Sequence, residues 1–566
     1  MSRRSRLALP VLITLTVACE RVPRVGADRV FINGGVYTVD ENGTWAEAVA
    51  VDRGEVVFVG GNADARELIG DKTEVIDLSD RMLLPSFHDA HAHVRYGGTA
   101  SWGCNLGNVQ DLSSIRAKLT DCASSRSYGE DEWVLGGGWP LSAFPEGSPT
   151  ADLLDEVFGE RPAFFSDAFG HNAWVSSRAL ELAGIDRGTP DPPQGVIVRD
   201  STTGEATGTL RDGAMALVED LLPEQTPEQQ YRGLMTGLSM ANAFGITAYV
   251  EPGVSESNLE IYRLANDHGE LTARVLASLS PIDELPGAVG DDLFALLEGR
   301  DAFQGEYLAV DSVKIYIDGV IETRTSYMLE PYLDGTNFDA FYEIDALNDL
   351  YVRLDRLGVQ IHTHAIGDAA IRRALDAYEF ALIANGPNDN RHQIVHLQLI
   401  DEQDIPRFAK LNVAANFQCT WCYPDVYIEL AVDLVGVERA ERFYPVRSVQ
   451  ESGGLLVGGS DWDVSSLNPL DAIETAVRRQ DPNAISGPTL GAHEAIDLAS
   501  AIAMYTRNAA YVMRLDAKSG AIEAGKRADL IVLDRNLFEI PNTEINEAQV
   551  LLTLLDGNTV YRSENW

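Results

Sequence analysis

The sequence predicts an α/β fold: a (β/α)8 TIM barrel, a small β-sandwich built from both chain ends, and an inserted subdomain after the first barrel strand. Three observations predict it. Through the middle of the chain, short apolar runs alternate with longer helical patterns, as parallel strands and their crossovers require. Eight such runs can be counted, at 83–87, 245–251, 273–279, 312–318, 359–364, 393–396, 413–418 and 455–460. The two ends, 28–80 and 515–566, carry β-rich segments separated by Gly and Asp turns, too few in either piece to close a core alone. At 566 residues the chain exceeds one ordinary domain, and 45% hydrophobic content is ample for a core.

Taken in order, residues 1–27 read as an export leader. Ser2-Arg3-Arg4-Ser5-Arg6 precedes an apolar stretch over 7–18, too short to span a bilayer core of ~30 Å. Thr16-Val17-Ala18-Cys19 resembles a lipobox, which would make Cys19 a lipidated N-terminus; Val25-Gly26-Ala27 is the competing cleavage site and would release a soluble protein. The expectation is an exported bacterial protein, periplasmic or tethered to the outer membrane as a lipoprotein, touching the membrane only through that anchor. Export permits disulfides. Cys104 and Cys122 are close enough in sequence to bridge, and Cys419-Thr-Trp-Cys422 reads as a disulfide or two free thiols rather than half a zinc site.

The barrel then occupies 81–514. About 150 residues separate its first and second strands, far more than the dozen or so that one crossover needs, so roughly 98–230 form the insert. Gly136-Gly-Gly138 within it lacks the strand-to-helix pattern of a phosphate loop. Charge narrows the partners further. Against 86 acidic residues stand 44 basic ones, a net charge of −42, and only Lys72, Lys118, Lys314, Lys410, Lys518 and Lys526 are lysines. Nucleic acid and anionic membrane surfaces are poor partners for such a surface. The acidity suits a salt-adapted source or simply an acidic soluble enzyme, and a homo-oligomer is compatible with it.

The ten histidines carry the chemistry. His91 and His93 end the first strand in Pro85-Ser-Phe-His-Asp-Ala-His91-Ala-His93, and a strand's period of two puts both on one face, where they could share a metal or be an ordinary polar pair. His364 ends the fifth strand, His396 the sixth and Asp461 the eighth, while Lys314 lies in the fourth. Barrel active sites lie at the C-terminal strand ends, so these distant residues would converge on one mouth. Neutral imidazoles with a carboxylate suit Zn²⁺ or a similar divalent ion with an open position for water. Asp461 would serve that water as general base and then the leaving nitrogen as acid. His362, on the same face as His364 but one layer deeper, reads as a hydrogen-bonded core histidine, and His88 as a packing residue.

Five ordered stations give the resemblance: Pro-x-Phe-x-Asp-Ala-His-x-His at 85–93, Val313-Lys-Ile-Tyr-Ile-Asp-Gly319, His364-Ala-Ile-Gly-Asp368, Ile394-Val-His396-x-Gln398 and Gly459-Ser-Asp461-Trp462. Together with Leu135-Gly-Gly-Gly-Trp139, Gly170-His171-Asn-Ala-Trp174, Tyr505-Thr506 and the Gly520–Asp529 run, the sequence over about 29–560 resembles the amidohydrolase superfamily. Within it the match is to amidohydrolase family 3, the branch that includes N-substituted formamide deformylases.

The resemblance implies His91, His93 and His396 as metal ligands, His364 on the same site, and Asp461 as ligand and proton shuttle. It implies one or two divalent ions, Zn²⁺ fitting best, and a CO₂-derived carbamate on Lys314 bridging them; an unmodified Lys314 contacting substrate beside one ion is the alternative. His171 would orient the scissile carbonyl or be a surface histidine. Arg324 would take a substrate carboxylate or form a salt bridge, and Trp139 would wall the pocket or fill the insert's core. Gln418 begins the stretch after the seventh strand that faces substrate. There Cys419-Thr-Trp421-Cys422 replaces the Pro and nearby His common in relatives, so substrate preference does not transfer; a separate departure is Ser86, which stands where Gly is common. The expected activity is hydrolysis of a non-peptide C–N, amide-type bond in a small molecule. A deaminase or dipeptidase on the same barrel, or a non-catalytic exported metal- or ligand-binding protein, are the other readings.

Overall fold

The computed structural model describes residues 26–566 except 108, 110, 126–128, 130, 131, 168–171, 193, 194, 224 and 281–290. Cys19 and His171 therefore lie outside the described residues. Among the described residues no helix is long and apolar enough to cross a membrane.

Eight parallel strands form the central sheet, each beside its sequence neighbour: β1 Phe87–Asp89, β2 Ile246–Val254, β3 Arg274–Leu279, β4 Leu308–Tyr316, β5 Gln360–Ala365, β6 Gln393–His396, β7 Ala414–Phe417 and β8 Leu456–Gly458. Covered on both faces, β3, β5, β6 and β7 are buried at every residue, although β5 carries Gln360, His362, Thr363 and His364 and β6 carries Gln393 and His396. Between β8 and β1 the ring closes through Ala90 N–H to Gly458 O (3.0 Å) and Asp461 N–H to His91 O (2.7 Å). Gly459 makes that approach possible, since a Cβ there would lie 2.8 Å from His91 Cβ.

The first strand differs from the reading of the sequence. The 83–87 run divides between two sheets: Met82–Pro85 pairs antiparallel with Leu530–Leu533, and only Phe87–Asp89 joins the barrel. Ser86 is the changeover. Its N–H donates to Asp529 O (3.0 Å), and the next, on Phe87, donates to Gly245 O (2.9 Å). An extended apolar run looks the same in either sheet, so sequence could not assign it.

Met82–Pro85 belongs to a six-stranded sheet that also holds Gly35–Tyr37, Trp45–Ala46, Leu530–Leu533, Val550–Leu555 and Asn558–Arg562, residues from both chain ends. A four-stranded sheet over residues 29–77 faces it, with Phe31, Val49, Val51 and Val56 packed against Leu83, Leu530, Val532 and Leu554. Residues 104–212 form another six-stranded sheet, apolar on both faces: Trp139, Phe165 and Trp174 lie in one core, Phe164, Val175 and Leu210 in another. Cys104 and Cys122 form a disulfide there, with Cα atoms 5.7 Å apart, whereas Cys419 and Cys422 are buried free thiols.

An ion cluster joins the barrel floor to the sandwich. Arg274, the first residue of β3, donates through Nη2 to both Asp529 oxygens (3.2 Å each) and to Asp556 Oδ1 (2.8 Å). Tyr307 Oη donates to Asp556 Oδ2 (2.7 Å). Removing one partner of a buried ion pair leaves the other charge uncompensated. Arg274→Met should therefore destabilise the chain by about 3–5 kcal/mol in denaturant unfolding, whereas removing the exposed Arg324–Asp334 pair should cost less than about 1 kcal/mol.

Candidate metal centre

Asp461 follows β8 in a left-handed backbone conformation (φ +54°), which turns its carboxylate over the barrel mouth. Its Oδ1 lies 3.1 Å from His91 Nε2 and 3.2 Å from His93 Nε2. Its Oδ2 lies 3.8 Å from Nδ1 of His396, the last residue of β6 and also left-handed (φ +79°). Among the described residues, His91, His396 and Asp461 form a group whose candidate ligand atoms all lie within 4.8 Å of one another. His364 stacks edge-on against His396 with ring centroids 4.4 Å apart, but its Nε2 faces Gly319 O (3.3 Å). Lys314, in register beside His362, is buried with Nζ 5.0 Å above the Tyr316 ring.

Burial sets the protonation states. It pushes His91 and His364 down to about 3, with Lys314 adding to the effect, and takes His396 well below its ordinary value. Each of the three is thereby favoured in its neutral form. Burial also pulls His93 down, but its contact with Asp461 more than reverses this and raises it. Burial opposes ionisation of Asp461, yet His91, His93 and His396 outweigh it and hold the carboxyl well below the usual range. Lys314 is pushed down to about 7 by burial, with Asp461 acting in the opposite direction.

The donor set fits a divalent ion of the zinc class: neutral imidazole nitrogens around one carboxylate. An observation independent of residue type agrees. His396 Nδ1 is buried without a hydrogen-bond partner although a carboxylate oxygen lies nearby. Leaving a buried acceptor unsatisfied costs ~1–3 kcal/mol, and a metal would satisfy it.

The residues that hold these side chains in place were only partly legible. Asp89 Oδ1 accepts from both His91 N–H and Ser460 N–H (3.0 Å each), clamping the β1 and β8 loops together. Its position two residues before His91 is the local signal, the spacing of an Asx turn. Glu251 Oε2 accepts from Val94 N–H (2.8 Å) and so anchors the short helix that His93 caps. Asp318 accepts from Ile366 N–H (3.0 Å), Gly367 N–H (2.9 Å) and Tyr327 N–H (3.0 Å), fixing the loop beyond His364. Nothing in the sequence identified those partners.

Other expected site residues take different places. Trp139 is fully buried in the insert, its indole N–H donating to Phe165 O (2.9 Å). A pocket-wall role for it gives way to a core role, because no part of the ring is left to meet a ligand. Arg324 is half-exposed and pairs with Asp334 (3.0 Å). Gln418 is buried, donating to Asn416 Oδ1 (2.9 Å) while its own Oε1 has no partner. His88 points away from the mouth, contacting Thr506 O (3.3 Å) and Ser519 Oγ (3.2 Å).

Comparison with known proteins places this geometry. The Amidohydrolase family model matches residues 74–561. N-substituted formamide deformylase of Arthrobacter pascens is 30% identical over 552 residues, covering 94% of this chain and 97% of that protein. The LONG AFTER FAR-RED 3 protein of Arabidopsis thaliana is 29% identical over 553 residues, covering 94% and 92%. Among solved structures, an uncharacterized metal-dependent hydrolase from Pyrococcus furiosus superposes with a TM-score of 0.69 at 24% identity, covering 90% of this chain and 99% of that one.

Metal analysis of the purified protein should find one or two divalent ions per chain, and His396→Ala should reduce that content. A parent protein that takes up no Zn²⁺ or Mn²⁺ in equilibrium dialysis would remove the assignment.

Proposed function

The chain belongs to the amidohydrolase family, and from that premise we propose that it hydrolyses a non-peptide, amide-type C–N bond in a small molecule at the Asp461 centre. His91, His93, His364, His396 and Asp461 would hold the divalent ion, Zn²⁺ suiting these donors best. When bound, such an ion supplies a Lewis acid and lowers the pKa of a coordinated water towards ~7. The chain's own contribution is proton transfer and placement. Asp461, kept anionic at the seam between β8 and β1, accepts the proton of the attacking water and returns it to the leaving nitrogen.

The observation that carries this reading is the geometry of Asp461, with two imidazole nitrogens on Oδ1 and an orphaned third near Oδ2. The Arthrobacter relative supports the substrate class by its name alone. In a screen of N-formyl, N-acyl and cyclic amides with Zn²⁺ or Mn²⁺, the parent chain should turn over at least one class. Asp461→Asn should lower kcat by about 10²–10⁴-fold with an unchanged circular dichroism spectrum. Activity confined to dipeptides would overturn the substrate class, and an unimpaired Asn variant would overturn the role of Asp461.

We further propose that Lys314 is carboxylated by CO₂, with release of one proton, which would make it an anionic oxygen donor able to hold a second ion. A carbamate forms from the neutral amine and CO₂, and burial brings the Lys314 ammonium down to about 7, so the reactive form is present at neutral pH. A carbamate is an anionic oxygen donor, whereas an ammonium among the imidazoles would repel a cation. Protein loaded with metal under labelled CO₂ should retain label, and Lys314→Met should abolish that retention. Unlabelled parent protein would leave Lys314 as a cationic contact beside a single ion.

A further inference from the structure

We propose that Cys419 and Cys422 form a modification site: a buried dithiol that a peroxide oxidises to a disulfide, pinning the turn that carries Trp421 beside the barrel mouth. The inference is independent of the metal-centre reading and concerns two thiols that the proposed hydrolysis does not use.

The backbone brings the pair together. Cys419–Trp421 form a single 3₁₀ turn just after β7, and the Cys422 N–H donates to Cys419 O (3.1 Å). Side chains three apart in such a turn eclipse, so both thiols emerge on one side. Their sulfurs lie 3.0 Å apart, and both residues are fully buried. A turn closed in this way keeps its first and fourth Cα atoms within about 7 Å, the limit for bridging without backbone movement.

A buried charge distinguishes the two thiols. Arg479 is fully buried; its Nε donates to Leu490 O (2.8 Å) and its Nη2 to Phe443 O (3.0 Å), but Nη1 has no hydrogen-bond partner. Among the described residues no ion pair compensates this guanidinium. A buried cation is costly without a counter-ion, and a neighbouring thiolate is one. Burial opposes ionisation of Cys422, but hydrogen bonding with Cys419 and then the Arg479 charge outweigh it and bring the thiol below its ordinary value, with Glu494 a smaller opposing influence. Cys419 is driven up, by its contact with Cys422 first and by burial second. Cys422 is therefore the nucleophile and Cys419 the resolving thiol.

Neither sulfur has accessible surface, so the oxidant has to be small, and hydrogen peroxide is of that class. The Cys422 thiolate attacks one peroxide oxygen, the O–O bond breaks and hydroxide leaves, giving a sulfenic acid on Cys422. The Cys419 sulfur then attacks the Cys422 sulfur. The S–S bond forms, the S–O bond breaks, and the departing hydroxide takes the Cys419 proton to leave as water. The sulfurs together lose two electrons, and the peroxide is reduced to water and hydroxide.

The residues between the thiols touch the mouth. The ring centroids of Trp421 and His396 lie 6.3 Å apart, and the Thr420 and Ser465 hydroxyls share a hydrogen bond (2.9 Å). Ser465 in turn donates to Ser460 O, next to Asp461. A bridge from Cys419 to Cys422 closes a ring around Thr420 and Trp421 and so restricts the segment that meets both neighbours.

Peptide mapping without reductant tests this on the full chain. Protein reduced with dithiothreitol, freed of it, treated with hydrogen peroxide, quenched with catalase, denatured and alkylated should lose both alkylation sites in the peptide that holds Cys419 and Cys422. That peptide should weigh two hydrogens less than its dithiol form, and dithiothreitol should restore both sites. In Cys419→Ser, dimedone should label Cys422 as the sulfenic acid, whereas Cys422→Ser should leave Cys419 unlabelled. Amide hydrogen exchange over 419–423 should be slower in the bridged chain than in the dithiol chain. Two thiols that both remain alkylatable after peroxide overturn the proposal, and so does oxidation to sulfinic acid without a bridge. Dimedone on Cys419 instead of Cys422 overturns the assignment of the nucleophile, and equal exchange in the two forms overturns the pinning of the turn. If a serine variant does not fold, the mapping of the parent chain still decides. None of these readouts involves a metal, so a failure of the Zn²⁺ assignment would leave them unchanged.

Discussion

A buried carboxylate at the seam of the barrel is the constraint on which the site depends. An ionised carboxylate in a poorly solvated position is very costly unless donors or cations surround it. Asp461 meets this condition through residues that arrive from opposite ends of the chain: its backbone N–H closes the ring onto His91 O, and its side chain collects His91 and His93. The contacts that shut the barrel also assemble the chemistry. Both Asp461 and His396 adopt left-handed backbone conformations that non-glycine residues rarely take.

Around that carboxylate the interior is unusually polar for a barrel. Gln360, His362, Gln393, Asn416 and Gln418 lie buried below the mouth, and hydrogen bonds connect them. A polar network inside a core is tolerable when nearly every member is satisfied, and it then specifies one arrangement more sharply than apolar side chains can. The atoms left unsatisfied, His396 Nδ1 and Gln418 Oε1, belong to the metal centre and to the stretch leading from β7 towards the mouth.

The barrel's legibility and the site's legibility had different sources. Strands β3 to β8 were readable because short runs containing apolar residues alternate with longer helical patterns, and β6 coincides with its expected bounds of 393–396. Segment 82–85 was not assignable, because its pairing partner, Leu530–Leu533, lies near the other end of the chain. Metal-ligating residue types at strand ends were visible as motifs. Trp139 was ambiguous because the same apolar ring suits a pocket wall and an insert core, and only its complete burial against Phe165 decides.

By itself the sequence determined which residues stand at the ends of which strands, and with them the chemical character of the mouth: imidazoles, one carboxylate and one lysine. Those follow from local periodicity and short motifs, which need no knowledge of distant partners. Only the tertiary structure decided which nitrogen faces which oxygen, that His362 Nε2 meets His91 Nδ1, and that the run at 82–87 serves two sheets. These depend on hydrogen bonds between residues far apart in the chain, which no local side-chain pattern encodes.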